Sequence, residues 1–191
     1  IIVAQYFGFG DEEKVKDAIG NSIWIITICS VIMAIIGFVT ARPILVLLDT
    51  DPVILNDAVA YLKVVSIGIV CVGFYNGVSG ILRALGDSKT PLIFLIVASV
   101  LNVILDLIFV LSFGWGVVGA GVATAFSQLI SALACIIYAY KSNTYFKLKK
   151  KNIKLNGNII KKSCKLGIPV ALQNSLIAFS LIVLQKVVNG Y

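Results

Sequence analysis

Long stretches without a charged side chain are the feature of this sequence that most limits its fold. Residues 18–41, 64–82, 107–140 and 166–185 contain no Asp, Glu, Lys or Arg. A helix needs roughly 20 apolar residues to cross the hydrocarbon core of a bilayer, where every backbone polar group must be hydrogen-bonded within the protein. The pattern therefore predicts an all-α protein, a polytopic bundle of transmembrane helices.

The composition excludes an ordinary soluble domain. Hydrophobic residues make up 59% of the chain and charged residues 13%, and the mean hydropathy is +1.01. Globular domains have about 25% charged residues. A water-soluble protein of this composition could not cover its surface with polar groups, so we expect a lipid bilayer as its partner.

The uncharged stretches and the turn signals between them predict five complete spans. They are residues 19–41, 60–82, 91–113, 117–140 and 167–189, and residues 1–8 are interpreted as the end of an earlier span. The chain begins within apolar sequence and without an initiator Met, so we expect a fragment. Asp51 before Pro52 predicts a helix N-terminus, and Ser88 or Thr90 is expected to cap the helix that follows GDSKTP.

The basic residues predict the orientation of the chain in the membrane. If the loops alternate sides, thirteen Lys and Arg lie on one side and two, Arg42 and Lys63, on the other. The thirteen are Lys14, Lys16, Arg83, Lys89 and the nine lysines between Lys141 and Lys165. By the positive-inside rule, loops 11–17, 83–90 and 141–165 are cytoplasmic in a multi-pass protein of the cytoplasmic membrane.

The long basic loop also suggests how the chain is divided. We expect residues 1–140 to form one membrane bundle, residues 141–166 a linker and residues 167–191 the first helix of a second bundle. Asn156–Gly157 is interpreted as a flexible point in this linker. A single bundle with a long internal loop is the alternative.

Asp106 is the residue that most strongly indicates a function. It is the one acidic residue within the cores of the predicted spans. A charged Asp that faces lipid costs roughly 2.5–3.5 kcal/mol, so intramembrane acids generally face a bundle interior or a water-filled cavity and mark an ion or proton path. A structural hydrogen-bonding role is the alternative.

Two polar residues are predicted to lie near Asp106. Asn102 precedes it by one helical turn on the same face. Asp106 precedes Phe113 by seven residues and Thr124 follows Val117 by seven, so both lie at a similar depth, about 10 Å below the same hairpin loop. A carboxylate, an amide oxygen and a hydroxyl suit Na⁺, and a buried carboxyl also suits a proton. Either ion fits, and no other metal or cofactor is expected.

Four further residues are candidates for lining a substrate cavity. Asn76 lies among glycines in the second complete span, where an interhelical hydrogen bond is equally consistent with its surroundings. Gln128 extends the stripe of Thr124, and Gln173 lies near the start of the last span. Tyr75 could stack on an aromatic or cationic substrate, although aromatic residues in membrane helices more often pack against neighbouring helices.

No motif indicates an enzyme or a nucleic-acid-binding protein. Gly114, Gly116 and Gly119 form GxGxxG, but a dinucleotide site needs a preceding strand and an acid about 20 residues later, and an apolar helix precedes these glycines. The four cysteines form no CxxC pair and the chain has no histidine, which argues against a zinc site. The basic segment does not alternate with aromatic residues as nucleic-acid-binding surfaces do.

Four segments, in order along the chain, resemble the multidrug and toxic compound extrusion (MATE) family. GILRALGDSKTPLIF at 80–94 looks like the signature across the family's fourth and fifth helices. NVILDLIFVLSFGWGVVGAGVATAFSQ at 102–128 resembles the fifth-to-sixth helix segment. IIVAQYFGFGDEEKV at 1–15 and LGIPVALQNSL at 166–176 resemble the end of the second helix and the start of the seventh.

The resemblance implies a larger protein and a mechanism. It implies twelve helices in two lobes of the MOP flippase superfamily, of which this chain holds the end of the second to the seventh helix and lacks the first helix and most of the second lobe. Asn102, Asp106 and Thr124 match positions that form the cation or proton site of the first lobe in one branch of the family. The implied function is export of organic cations and drugs by Na⁺ or H⁺ antiport.

The sequence leaves two alternatives to drug antiport open. A flippase for lipid-linked oligosaccharides or polysaccharides belongs to the same superfamily, but such proteins tend to carry cationic residues in the central cavity, and the spans here have none at mid-membrane. A channel or a non-transporting membrane scaffold is the second alternative. Exchange of ion for substrate distinguishes an antiporter from a channel.

Overall fold

In a computed structural model, which describes residues 1–188, the chain is a bundle of helices and no strand occurs in that range. The α-helices are α1 (Ile2–Gly8), α2 (Glu12–Leu47), α3 (Pro52–Ala84), α4 (Lys89–Asp106), α5 (Gly116–Ser142) and α6 (Gly157–Val188). A π-helical turn (Leu107–Ser112) continues α4, and a 3₁₀ turn (Thr144–Phe146) follows α5.

Four of these helices are long and apolar enough to cross a membrane. They are α2, α3, α4 with its π-helical turn, and α5, and they correspond to the first four predicted spans. The predicted all-α transmembrane bundle is thereby confirmed. The fifth predicted span, 167–189, lies on α6 and extends beyond the described residues, and it is not one of these four.

The four long helices pack side by side, and α3 and α5 form the centre. α2 lies against one side of α3, and α4 lies against α5. Tyr75 and Leu82 of α3 pack with Ala132, Cys135 and Ala139 of α5 in the core between the two central helices. Most large apolar side chains on α2 and α4 point outward, as expected for helices that face lipid.

Small residues allow α2 and α3 to approach each other closely. A Cβ atom added to Gly73 would lie 2.8 Å from Cβ of Ser30, closer than two carbon atoms tolerate, and one added to Gly77 would overlap the side chain of Ile26. Glycine at these positions lets the two backbones approach, which is the usual way for membrane helices to maximise van der Waals contact.

The capping prediction is confirmed at the start of α3 and wrong at the start of α4. Asp51 caps α3 as expected, because its Oδ1 accepts a hydrogen bond of 2.8 Å from the backbone N–H of Val53. At the start of α4, Ser88 occupies the N-cap position but its side chain makes no capping bond. Asp87 provides the bond instead, since its Oδ1 accepts from the N–H of Thr90 at 3.0 Å.

The electrostatics of Asp87 agree with this role. Partial burial acts to raise the pKa of its carboxyl, but hydrogen bonds from Thr90 and Tyr138 outweigh that effect and lower the pKa below its ordinary value. An ionised carboxylate is a stronger hydrogen-bond acceptor than a hydroxyl at a helix N-terminus, so the lowered pKa favours Asp87 as the cap of α4.

The helices α2 and α6 begin outside the predicted membrane spans. α2 begins at Glu12, so most of the predicted loop 11–17 is helical, and α6 begins at Gly157 within the predicted linker. At Asn156–Gly157, the predicted flexible point, the N–H of Asn156 donates to Oδ1 of Asn21 at 2.8 Å and the next residue begins α6. The flexibility of this point stays a prediction. Both helices extend past the apolar stretches, since polar residues continue a helix outside the hydrocarbon core.

Candidate functional site

The candidate site is on the hairpin of α4 and α5, which a short turn joins. Gly114 and Gly116 of this turn have φ of +67° and +54°, a region that side chains other than glycine rarely adopt. The ring of Phe109 stacks on Trp115 with centroids 5.3 Å apart, and the N–H of Trp115 donates to the Phe109 carbonyl at 3.0 Å. The turn makes α4 and α5 antiparallel neighbours, as was assumed when Asp106 and Thr124 were predicted to lie at a similar depth.

Asn102 and Thr124 face each other across this hairpin. Nδ2 of Asn102 donates to Oγ1 of Thr124 at 3.4 Å, and Oγ1 of Thr124 donates to the Ala120 carbonyl at 3.0 Å. The bond leaves the amide oxygen of Asn102 without a partner of its own in the hairpin. Two of the three residues predicted for the coupling site are therefore in contact.

Asp106 is half-buried at the end of α4, one turn beyond Asn102. Its Oδ1 is fully enclosed and accepts no hydrogen bond, and among the side chains that the structure describes it is the one buried oxygen or nitrogen atom without a partner. Leaving a buried acceptor unsatisfied costs about 1–3 kcal/mol, and more when the group is charged. Such an atom calls for an explanation in ligand or proton binding.

The helix changes type directly after Asp106. Residues Leu107–Ser112 form a π-helical turn, in which the N–H of Phe113 bonds to the carbonyl of Ile108 five residues earlier. π-helical turns are rare inside α-helices and occur frequently at functional sites. The sequence analysis missed this turn, because uninterrupted apolar sequence contains no signal for it.

Other hydroxyl groups on the hairpin bond to the backbone. Ser99, three residues before Asn102, is exposed and donates to the Leu95 carbonyl at 3.0 Å. Ser131 is buried and donates to the Phe94 carbonyl of α4 at 3.0 Å. The first bond stays within α4 and the second joins α5 to α4, so both groups act in helix structure and packing here.

Asn76 lies on a cleft at the end of the bundle where α1 meets α2. The cleft has a volume of about 330 Å³ and lies between α1, α2, α3 and the start of α6. Asn76, Ser22 and Ser163 contribute polar groups to an otherwise mainly apolar lining. Asn76 is exposed, so its side chain is available to a bound molecule.

The three remaining cavity candidates are in different surroundings. Tyr75 is buried, and its hydroxyl donates to the Pro91 carbonyl at 2.7 Å, so it joins α3 to α4 instead of facing an open space. Gln128 is half-buried on α5, and Gln173 is exposed on α6. Their part in substrate binding stays a prediction, with Tyr75 the least accessible of the four.

The sequence analysis missed a polar cluster at the start of α2. Asn21 and Asn152 are almost completely buried and hydrogen-bond to the segment between α5 and α6 or to Asp17. Asn21 lies within the first uncharged stretch and one turn after Asp17, which is the signal that could have identified it. Asn152 lies among lysines and offered no such signal.

A family model described as MatE matches residues 1–108 of the chain. The chain is 34% identical over its whole length to a probable multidrug resistance protein, YpnP, of Bacillus subtilis, and 27% identical to the multidrug export protein MepA of Staphylococcus saprophyticus. It spans 42% of the length of each of these relatives.

Solved structures show the same fold. A crystal structure of MATE in the bent conformation has a TM-score of 0.88 and 25% identity, over 95% of this chain and 41% of that one. An inward-facing multidrug resistance MATE family transporter of the MOP superfamily has a TM-score of 0.82 and 26% identity, over 88% of this chain and 38% of that one. The resemblance seen in the sequence is confirmed.

Proposed function

Since the chain belongs to the MATE family, whose members are transporters and not enzymes, we propose that it is the ion-coupling part of a drug exporter. In this proposal residues 1–140 form most of the first lobe, and α6 leads into a second lobe. Binding of Na⁺ or H⁺ at Asp106, Asn102 and Thr124 drives export of organic cations across the cytoplasmic membrane.

The observation that carries this proposal is the enclosed, unpartnered Oδ1 of Asp106. A carboxylate inside a membrane protein is costly unless something neutralises it. Charge neutralisation by a protein group would take a Lys or Arg. Lys63 of α3 lies near this depth, since its neighbour Val64 lies beside Gly121 of α5, but its Nζ is directed to the ring of Phe38 on α2, 5.1 Å from the ring centroid. The ion pairs among the described residues include none between Lys63 and Asp106. A transported ion therefore accounts for the carboxylate, because either a proton or Na⁺ neutralises it while bound.

The neighbouring groups fit both ions. For Na⁺, the carboxylate of Asp106, the free amide oxygen of Asn102 and the hydroxyl oxygen of Thr124 provide oxygen ligands of the kind that hard cations prefer. For H⁺, the carboxyl alone suffices, and the Asn102–Thr124 bond keeps its surroundings ordered. The π-helical turn next to Asp106 provides a place where α4 can adjust its hydrogen bonding when the ion binds or leaves.

Coupling requires that the ion bind one conformation of the transporter better than the other. In the mechanism proposed here, an ion that enters from outside binds around Asp106 and stabilises the conformation that releases substrate outward. Release of the ion to the cytoplasm restores the conformation that accepts substrate from inside. An organic cation is the expected substrate, since the spans contain no mid-membrane Lys or Arg to repel it. Asn76, which is exposed on the cleft between α1, α2, α3 and α6, is the candidate that we expect to contact it.

Fluorescent-cation efflux by the full-length transporter, with Na⁺ and pH gradients imposed separately, tests the proposal. Asp106→Asn keeps the size of the side chain and removes its negative charge, so ion-driven efflux should fall to the level of cells without the transporter. Asp57→Asn is the matched control, because it makes the same chemical change at an exposed position of α3 and should leave efflux unchanged.

The response to the two gradients identifies the ion. Efflux that follows the Na⁺ gradient at constant pH identifies Na⁺, and efflux that follows the pH gradient without Na⁺ identifies H⁺. Undiminished efflux by Asp106→Asn would remove Asp106 from coupling. Substrate flux that needs no counter-moving ion would indicate a channel, and transport of lipid-linked sugars in place of cations would indicate a flippase.

A further inference from the structure

The segment between α5 and α6 is bound to the start of α2 by buried amide groups. Asn152 is 1% exposed, and its Nδ2 donates to Oδ1 of Asp17 at 2.7 Å. Its Oδ1 accepts from the N–H of Lys149 at 3.0 Å, which folds the segment into a tight turn around the amide. Both ends of this side chain therefore have partners, one on α2 and one in the segment itself.

Asn21 binds the same segment from the side of α2. It is completely buried, and its Oδ1 accepts from the N–H of Asn156 at 2.8 Å. Its Nδ2 donates to the carbonyl of Asp17 at 2.8 Å and approaches the carbonyl of Lys154 at 3.4 Å. One turn further along α2, Nε1 of Trp24 donates to the carbonyl of Ile153 at 2.9 Å. α2 thus bonds the backbone of three residues in the segment.

The fit between α2 and the segment is also steric and electrostatic. A Cβ atom at Gly20 would overlap the carbonyl oxygen of Asn152, so glycine is required for the segment to lie this close. Lys151 forms an ion pair of 2.7 Å with Glu13, and the hydrogen bond that Lys151 donates to this carboxylate raises the pKa of Lys151 above its ordinary value. The pair is exposed, so it adds orientation more than binding strength.

The burial continues through the first two turns of α6, and beyond them α6 only borders the cleft that it shares with α1, α2 and α3. Ile159 is buried, at 6% exposure, and Ser163 is half-buried. Every residue from Cys164 to Ala178 is exposed. Buried amide groups with all their hydrogen bonds made fix a structure in one arrangement, because opening it would leave several polar groups unsatisfied at once.

We propose that Asn21 and Asn152 fasten residues 147–159 to the first bundle as a rigid extension of it, so that motion between the two lobes begins in α6 after Ser163. The segment would then be no flexible tether, although it is basic and loop-like in sequence. This inference rests on the proposed function, because it assumes that the two lobes move relative to each other during transport.

Distances between pairs of spin labels in the full-length transporter test this inference. With the native cysteines replaced, one label at Lys89 on the first bundle is paired with a label at Lys150 in the segment or at Leu176 on α6, all exposed positions. Distances are measured with and without saturating Na⁺ and at neutral and acidic pH. We expect the Lys89–Lys150 distance to be narrow and constant, and the Lys89–Leu176 distance to shift between conditions.

Variants show whether the named residues hold the segment. Asn21→Ala removes three hydrogen bonds, and Trp24→Phe removes one while keeping an aromatic ring, so it serves where Asn21→Ala does not fold. Both should broaden the Lys89–Lys150 distribution. Asn158→Ala is the control, because Asn158 is exposed and takes part only through its backbone N–H, and it should leave the distribution narrow.

Three results would overturn the inference. One is a Lys89–Lys150 distance that shifts together with the Lys89–Leu176 distance, and another is a distribution that stays narrow in both variants. The third is that neither distance shifts in a transporter that still exchanges ion for drug. This result would show that motion between the lobes does not begin after Ser163, and it would leave the proposed function intact. If the wild-type transporter shows no ion-coupled efflux, that result rejects the proposed function and not the place where motion begins.

Discussion

At the scale of single residues, Thr124 connects the two helices of the candidate site through one hydroxyl group. Its Oγ1 accepts from Asn102 on α4 and donates to Ala120 on its own helix. The hydroxyl therefore orients the Asn102 amide, and through it the oxygen that the amide would offer to an ion in the proposed site.

Substitution of Thr124 separates this role from packing. Thr124→Val keeps the shape but removes the acceptor for Asn102, and a hydrogen bond of this kind contributes about 0.5–1.5 kcal/mol. We expect the apparent affinity for the coupling ion to fall by about 2- to 12-fold, as measured from the ion dependence of drug efflux. Thr124→Ser keeps the hydroxyl and should retain most of the affinity. Equal losses in the two variants would contradict the role given to the hydroxyl.

Sequence reasoning identified some of these residues but could not choose among others. Asp106 was identifiable because one carboxyl in apolar sequence is costly, and Thr124 because helical rise fixes its depth. The residue that caps α4 could not be identified from the sequence. Asp87, Ser88 and Thr90 all carry an acceptor near the helix start, and which one caps depends on backbone geometry. The buried Asn152 could not be foreseen, because its partner Asp17 lies 135 positions away in the chain.

At the scale of helices, the contact between α2 and α3 depends on glycine. Gly73 faces Ser30 so closely that an added Cβ atom has no room, whereas a Cβ atom at Gly80 would meet nothing within 4 Å. The two glycines lie two turns apart on α3 and differ mainly in this contact, which makes them a matched pair.

Alanine at these two positions should have opposite effects on stability. Gly73→Ala forces α2 and α3 apart, and overpacking of this kind costs about 1–3 kcal/mol. Gly80→Ala should be neutral or stabilising, since alanine favours a helix interior over glycine by roughly 0.5–1 kcal/mol. Thermal unfolding of the full-length protein in detergent measures both. Equal melting temperatures for the two variants would show that the close approach of α2 and α3 does not limit stability.

The helices were the most predictable part of the fold, and their ends the least. Four spans followed from hydropathy, because the bilayer core permits few structures other than helices. The apolar stretches could not show that α2 begins at Glu12 or α6 at Gly157, since polar residues outside the membrane carry these ends. The choice of neighbours, with α3 and α5 at the centre, depends on small residues whose partners lie far away in sequence.

At the scale of the whole molecule, the distribution of basic residues makes the two ends of the bundle different. The turns before α2 and before α4 and the segment before α6 lie at the end that carries most of the lysines, and the turns 48–51 and 113–115 lie at the other. The chain spans 42% of the length of the YpnP relative, and labels at positions within this part suffice to test the orientation.

Labelling of single cysteines in intact cells tests the orientation. In a full-length transporter without native cysteines, Leu48→Cys places a thiol on an exposed turn at one end and Ser88→Cys places one at the other. The positive-inside rule predicts that a membrane-impermeant maleimide labels position 48 in intact cells, and position 88 only after permeabilisation. The reverse pattern would contradict the proposed cytoplasmic side, and labelling of both would contradict alternation of the loops.

The π-helical turn from Leu107 to Ser112 also has a consequence for how the length of α4 can vary. A ring closed by a bond to the fifth preceding residue accommodates one residue more than an α-helical turn does. Loss of one residue from this stretch would yield a continuous α-helix in which Asn102 and the glycine turn keep their angular phase. We expect the helix to survive such a deletion and the rearranged backbone beside Asp106 to be lost, so the extra residue would serve the proposed ion site more than the architecture of the bundle.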